Sequence, residues 1–110
     1  MRHLLVTNDY PPKVGGIQAY LWEIYRRLPP DEVVVLTRRH PGWEDFDAAQ
    51  RHAIVRTRRP FMLPEPGLAR EIRGIVRSEG IDLVMYDPAV PLGALGPRMG
   101  LPYGVILHGA

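Results

Sequence analysis

The sequence has no cysteine in its 110 residues. That excludes disulfides and thiolate metal sites, and it fits a reducing compartment. No apolar stretch approaches the roughly 20 residues that span a bilayer. The opening MRHLLVTND has only a few apolar residues before Asn8 and Asp9, too short a run for a signal peptide, so a cytoplasmic location is the expectation. Neither G-x-G-x-x-G nor G-x-x-x-x-G-K-[ST] occurs, which disfavours nicotinamide enzymes and ordinary nucleotide triphosphatases. There are no repeats, no low-complexity segments and no linker. Lysine is almost absent: Lys13 is the only one among 14 basic residues.

What is present describes a single globular domain. Hydrophobic residues make up 45% and the net charge is only +2. The charge is uneven: Arg38, Arg39, Arg51, Arg56, Arg58 and Arg59 crowd one segment against Glu44, Asp45 and Asp47. Arginine pairs with phosphate through two hydrogen bonds, so this segment reads either as an anion-facing surface or as a solvated basic one. The basic residues do not interleave with stacking aromatics, which argues against a nucleic-acid partner.

Five short apolar runs alternate with helical or turn-rich segments. HLLVT (3–7) and EVVVLT (32–37) read as buried strands, the pattern of a parallel sheet, and AIVRT (53–57), IDLVMY (81–86) and YGVILH (103–108) as three more strands. From Ile17 the apolar residues fall at Ile17, Tyr20, Leu21, Ile24 and Leu28, a helical spacing that Pro29-Pro30 ends. Trp22 on this helix is read as packing. Residues 38–52 read as loop. Residues 68–79 read as a second helix, with Leu68, Ile72, Ile75 and Val76 on one face, Arg70, Arg73 and Arg77 on the other, and Gly80 at its end. PAVPLGALGPRMG reads as a weaker helix rich in small residues. Such alternation predicts an α/β fold, a doubly wound Rossmann-like parallel sheet of order 3-2-1-4-5. The sequence ends two residues past the fifth run, so the front part of a larger protein is expected.

In such a sheet, ligands bind beyond the carboxyl ends of the strands. The loop NDYPPKVGGIQAY (8–20) follows the first strand and lies there. Gly15 and Gly16 can take positive φ and approach a ligand closely, with their N–H groups at a helix start where an anion is favoured. Pro11 and Pro12 stiffen the other half. A tight strand-to-helix turn would also call for glycine, and both readings stand. Tyr86 and Asp87, after the fourth strand, share the rim.

The stretch NDYPPKVGGIQAYLWEIYRRL, together with LHGA after the fifth strand, resembles the N-terminal domain of retaining GT-B glycosyltransferases of glycosyltransferase family 4. The pairing of PPKVGGIQ with TND looks like the GDP-mannose-dependent phosphatidylinositol mannoside mannosyltransferases of actinobacteria. The resemblance implies that residues 1–110 are an incomplete, acceptor-side domain, with the nucleotide-sugar domain absent. It places Gly15 and Gly16 against the donor's phosphate and sugar, and makes His108 the catalytic histidine that contacts the transferred sugar. Asp9, Tyr10, Lys13 and Gln18 would meet a lipid or polyol acceptor. The Arg70, Arg73 and Arg77 face reads either as a solvated helix face or as a contact with an anionic leaflet at the inner face of the plasma membrane, and Phe61, Met62 and Leu63 before it either touch lipid or pack in the core; the lipid acceptor implied by the resemblance favours the membrane. No metal or other cofactor is implied; the substrate would be GDP-mannose or another nucleotide sugar. Two alternatives are a sugar-nucleotide epimerase of the same architecture and a stand-alone, flavodoxin-like anion-binding module.

Overall fold

The structure is a computed structural model and describes residues 1–108. The glycine of the expected His-Gly pair lies outside the described residues. Five strands, β1 (His3–Thr7), β2 (Val33–Arg38), β3 (Ala53–Thr57), β4 (Leu83–Asp87) and β5 (Tyr103–Val105), form one sheet. Every pairing is parallel and the order is β3-β2-β1-β4-β5, the doubly wound arrangement expected from the sequence.

The central strands are apolar throughout because both faces are covered. Leu4, Val6, Val34, Leu36, Val84 and Tyr86 turn to one side. There they pack on Leu68, Ile72 and Ile75 of helix α3 (Pro66–Glu79) and on Leu92 and Leu95. Leu5, Val33 and Val35 turn to the other side, against Leu21 and Tyr25 of helix α1 (Gly16–Tyr25). The period of two along a strand produces this split. It also sends Thr7 and Asp87, the last residues of β1 and β4, to the α1 side.

Helix α3 ends as expected. Gly80 adopts φ 64°, and its N–H reaches the Val76 carbonyl. Helix α1 differs in its roll. The sheet buries Gln18, Leu21 and Tyr25, while Ile17, Tyr20 and Ile24 remain 38–56% exposed. At about 100° per residue, the buried stripe lies roughly 80° from the centre of the apolar one.

Two segments depart from expectation. Residues 38–52 contain a short helix, α2 (Trp43–Ala48), begun by Gly42 at φ 87° and carrying Glu44 and Asp45 in its first turn. Leu92–Arg98 forms 3-10 turns in place of an α-helix. Pro97 lacks an amide donor there, and the glycines are weak helix formers. Those glycines answer to packing against β5: a Cβ on Gly96 would stand 2.3 Å from the Tyr103 ring, and one on Gly93 2.9 Å from Val105.

The loops at the carboxyl edge of the sheet are tied together. Asn8 clamps the Met62 backbone, donating to its carbonyl at 3.0 Å and accepting its N–H at 2.8 Å. Arg38 donates to the carbonyls of Asn8 and Pro60 at 3.3 and 2.8 Å. The segment after β1 is thereby fixed against the segment before α3.

Candidate functional site at the carboxyl edge

The register of β1 on β4 sets Thr7 directly beside Asp87. Thr7 Oγ1 donates to Asp87 Oδ2 at 2.8 Å. The other carboxylate oxygen, Oδ1, meets His108 Nε2. Asp87 has a side-chain exposure of 1% and His108 of 25%, so a buried anion holds a histidine that keeps an open side. A carboxylate only accepts, so His108 Nε2 carries the proton in this pair. Its Nδ1 has no partner among the described residues. The His108 ring also lies edge-on to Tyr20, with centroids 6.3 Å apart, which places it beside α1.

Thr7 Oγ1 extends the network. It accepts the Asp9 N–H at 3.0 Å. Asp9 Oδ1 accepts from Lys13 Nζ at 2.9 Å and from Gln18 Nε2 at 3.2 Å. A continuous hydrogen-bonded chain thus runs from His108 through Asp87, Thr7 and Asp9 to Gln18 at the start of α1. Asp9 keeps its Oδ2 free of partners among the described residues.

The glycine pair does not use positive φ. Gly15 caps α1 in extended geometry (φ 163°, ψ 167°), which any residue can adopt, and Gly16 is the first helical residue. A Cβ on Gly15 would lie 2.2 Å from Gln18 Oε1, so any larger residue there displaces the Gln18 amide. Gly16 meets nothing within 4 Å, so the fold places no demand on it. No side chain caps the helix and no acidic residue occupies its first turn; the nearby Asp9 carboxylate is paired with Lys13. The Pro11–Pro12 peptide bond in the same loop is cis.

Other sequence-derived candidates are differently placed. Tyr10 is fully buried among Phe46 and His52, with its hydroxyl 2.8 Å from His52 Nε2. It has no surface to offer an acceptor; it pins the loop to the core. Burial raises its hydroxyl pKa, with the nearby Tyr25 adding to the rise, and lowers that of His52, the latter against the opposing pull of Asp47. Gln18 is 6% exposed and committed to Asp9, so it braces the loop and does not reach outward. Trp22 packs against Phe46 and donates to Gln50 at 2.9 Å, the packing role expected of it.

Arg56 turns inward, 1% exposed, and binds Asp47 at 2.7 Å and the carbonyls of Arg38 and Pro11, each at 2.7 Å. Arg70, Arg73 and Arg77 do not form one free face. Arg73 donates to the Arg98 carbonyl at 3.1 Å. Arg70 and Arg73 line a groove with Leu95 and Arg98, and Arg73 and Arg77 a second one with Met99 and Leu101. Of the apolar trio before α3, Met62 is buried, while Phe61 and Leu63 are 49% and 52% exposed. Among the described residues, no three His, Asp or Glu side chains converge as a metal site would require, and no helix is long and apolar enough to cross a membrane.

Thr7 and the pairing role of Asp87 were not singled out by the sequence reading. The signal was partial: Thr7 closes the first apolar run and Asp87 directly follows the fourth, on strands expected to be parallel neighbours.

No family model matches the chain. It is 38% identical over 106 residues to the GDP-mannose-dependent alpha-(1-6)-phosphatidylinositol monomannoside mannosyltransferase of Mycobacterium tuberculosis, an alignment covering 91% of this chain and 28% of the relative. It is 35% identical over 94 residues to the GDP-mannose-dependent monoacylated alpha-(1-6)-phosphatidylinositol monomannoside mannosyltransferase of Corynebacterium glutamicum, covering 84% of this chain and 25% of the relative. An uncharacterized glycosyltransferase of Methanocaldococcus jannaschii is 25% identical over 117 residues, covering 97% of this chain and 32% of the relative. The chain therefore spans between a quarter and a third of the length of these relatives, and most of it is homologous to actinobacterial mannosyltransferases.

Proposed function

We propose, from that homology, that this chain is the acceptor-side domain of a retaining GT-B mannosyltransferase of glycosyltransferase family 4. The enzyme moves mannose from GDP-mannose to a hydroxyl of a phosphatidylinositol mannoside. The observation that carries the reading is the convergence of His108, held by buried Asp87, with the uncapped start of α1 at one edge of the sheet.

Each part then has a task. The helix start with Gly15 and Gly16 donates backbone N–H groups to the leaving diphosphate, where negative charge develops. The open space at Gly16 supports this role, since a glycine that the fold does not need leaves room for a ligand against the backbone. His108 faces the transferred sugar with its orientation fixed through Nε2. Asp9 Oδ2 accepts from an acceptor hydroxyl, and Lys13 beside it supplies positive charge. In this reading no metal is needed, because backbone donors, the helix dipole and side chains of the nucleotide-sugar domain bear the diphosphate charge.

A peripheral contact with an anionic leaflet belongs to the same reading. Exposed Phe61 and Leu63 precede α3, whose Arg70 and Arg77 are also exposed, and apolar plus basic groups suit a membrane surface.

The test is His108→Ala in the full-length enzyme, assayed with GDP-mannose and a phosphatidylinositol mannoside. Transfer should fall by roughly 100-fold or more, the usual scale for losing a group that acts in the transition state. Near-wild-type turnover would remove His108 from the mechanism.

A further inference from the structure

We propose that the cleft beyond the carboxyl ends of β2 and β3 binds a phosphate group. On the mannosyltransferase reading above, on which this assignment of source rests, that group is the phosphodiester of the phospholipid acceptor. The cleft has a volume of about 420 Å³ and is lined by Arg39, Arg56, Thr57, Arg58, Arg59 and Glu71. It opens at the sheet edge that carries the His108 network, because all five strands are parallel.

The charges in the cleft do not cancel. Arg56 is neutralised by Asp47, and Arg59 pairs with Glu65 and, at 3.6 Å, with Glu71. Glu71 also accepts from Thr57 Oγ1 at 2.9 Å, so the only carboxylate on the lining is already engaged. Arg39 and Arg58 make no salt bridge or hydrogen bond among the described residues. Arg39 lies over the Trp43 ring, 5.2 Å from its centroid, which restrains the side chain beside the cleft. Two uncommitted guanidinium forks thus border a cavity with a fixed, buried arginine in its wall.

A single carboxylate is satisfied by one fork. A tetrahedral phosphate offers oxygens in several directions and suits two. The position is also informative. Two strand spacings, about 10 Å, separate β3 from β1, and Asp9 follows the last residue of β1 by two positions. That is the scale of a phosphorylated polyol, with its phosphate in the arginine cleft and a hydroxyl at Asp9. The loops at the two ends are joined, since Arg56 holds the Pro11 carbonyl.

The experiment measures binding of glycerophosphoinositol, myo-inositol and inorganic phosphate to the full-length protein by calorimetry. Wild type is compared with the pair Arg39→Gln, Arg58→Gln, and with the charge-keeping pair Arg39→Lys, Arg58→Lys. Both positions are exposed, so the fold should be unaffected. The glutamine pair should weaken glycerophosphoinositol binding roughly 10- to 100-fold, the lysine pair less, and myo-inositol binding should not change. Unchanged glycerophosphoinositol affinity in the glutamine pair, or no binding by wild type, would overturn the site. Inorganic phosphate binding as tightly as glycerophosphoinositol would overturn the headgroup assignment and mark a free-phosphate site. Mannose transfer by wild type is assayed separately, so loss of the enzymatic reading cannot be confused with loss of the cleft.

Discussion

Thr7 Oγ1 and Asp87 Oδ2 lie 2.8 Å apart across the β1–β4 pairing, and the same carboxylate holds His108 through its other oxygen. The acid is therefore used on both sides: one oxygen anchors it to the sheet, and the other sets the histidine. Asp87→Asn keeps the shape but offers one acceptor where two are used. If the amide oxygen keeps Thr7, the amide N–H faces His108 Nε2, and the ring must adopt the opposite tautomer. Turnover in the full-length enzyme should fall roughly 10- to 100-fold with little change in KM, the scale for losing the partner that orients a histidine. The pH–rate profile should move as well. A variant that lost KM and kcat in equal measure, with an unmoved profile, would make Asp87 a purely structural residue.

The two glycines of the α1 start should respond oppositely to alanine. Gly15→Ala places a methyl 2.2 Å from Gln18 Oε1, so the Gln18 amide must shift, and its bond to Asp9 should weaken and the loop lose stability. Gly16→Ala meets open space in the first turn of a helix, where alanine is favoured over glycine by about 0.5–1 kcal/mol. Its stability, measured by denaturant titration, should hold or rise. Its transfer rate should nonetheless drop, because the methyl projects where the diphosphate would sit. Undiminished transfer by a stable Gly16→Ala protein would show that no ligand approaches this backbone.

Arg56 joins three elements: Asp47 of α2, the Arg38 carbonyl at the end of β2 and the Pro11 carbonyl of the loop. Arg56→Met fills the space but leaves Asp47, only 17% exposed, without its cation. Removing one partner of a buried pair costs about 3–5 kcal/mol. Urea unfolding should show a loss of that size. A loss below about 1 kcal/mol would place the pair in the class of solvent-screened surface bridges.

The strand order, and with it the set of loops that meet at the carboxyl edge, was legible in the sequence because it depends on local pattern. Continuous apolar runs such as HLLVT mean strands covered on both faces, and alternation with helices means parallel pairing. Boundaries shifted by one or two residues for β2 and β4, and β5 closes at Val105, three residues before the His108 end expected of it, without changing the strand order. Three things were not legible. The roll of α1 was hidden because Ile17, Tyr20 and Ile24 look like core residues, whereas the sheet takes Gln18, Leu21 and Tyr25. Tyr10 looked like a rim residue because it sits in a loop, and only tertiary packing with Phe46 and His52 draws it inside. The direction of an arginine cannot be read from its presence: Arg56 is buried in a network, while its neighbour Arg58 is exposed at the cleft.

The Tyr10–His52 contact makes acid stability a reporter of loop anchoring. Burial lowers the pKa of His52 from 6.5, and does the same to His3 and His40. The unfolded chain therefore binds more protons than the folded one between those lowered values and 6.5, and the slope of stability against pH is positive there. Full stability is present above pH 6.5 and is lost as the pH falls through the folded-state values. At the alkaline end Tyr86, pushed up to about 12, and Tyr10, also raised, act in the opposite sense, and stability declines once the pH rises past 10. His52→Gln keeps an acceptor for the Tyr10 hydroxyl and removes one of the three acid-sensitive groups. Its Tm should fall less than that of wild type between pH 7.5 and about pH 5. An equal fall in the two proteins would assign the acid sensitivity to His3 and His40 instead.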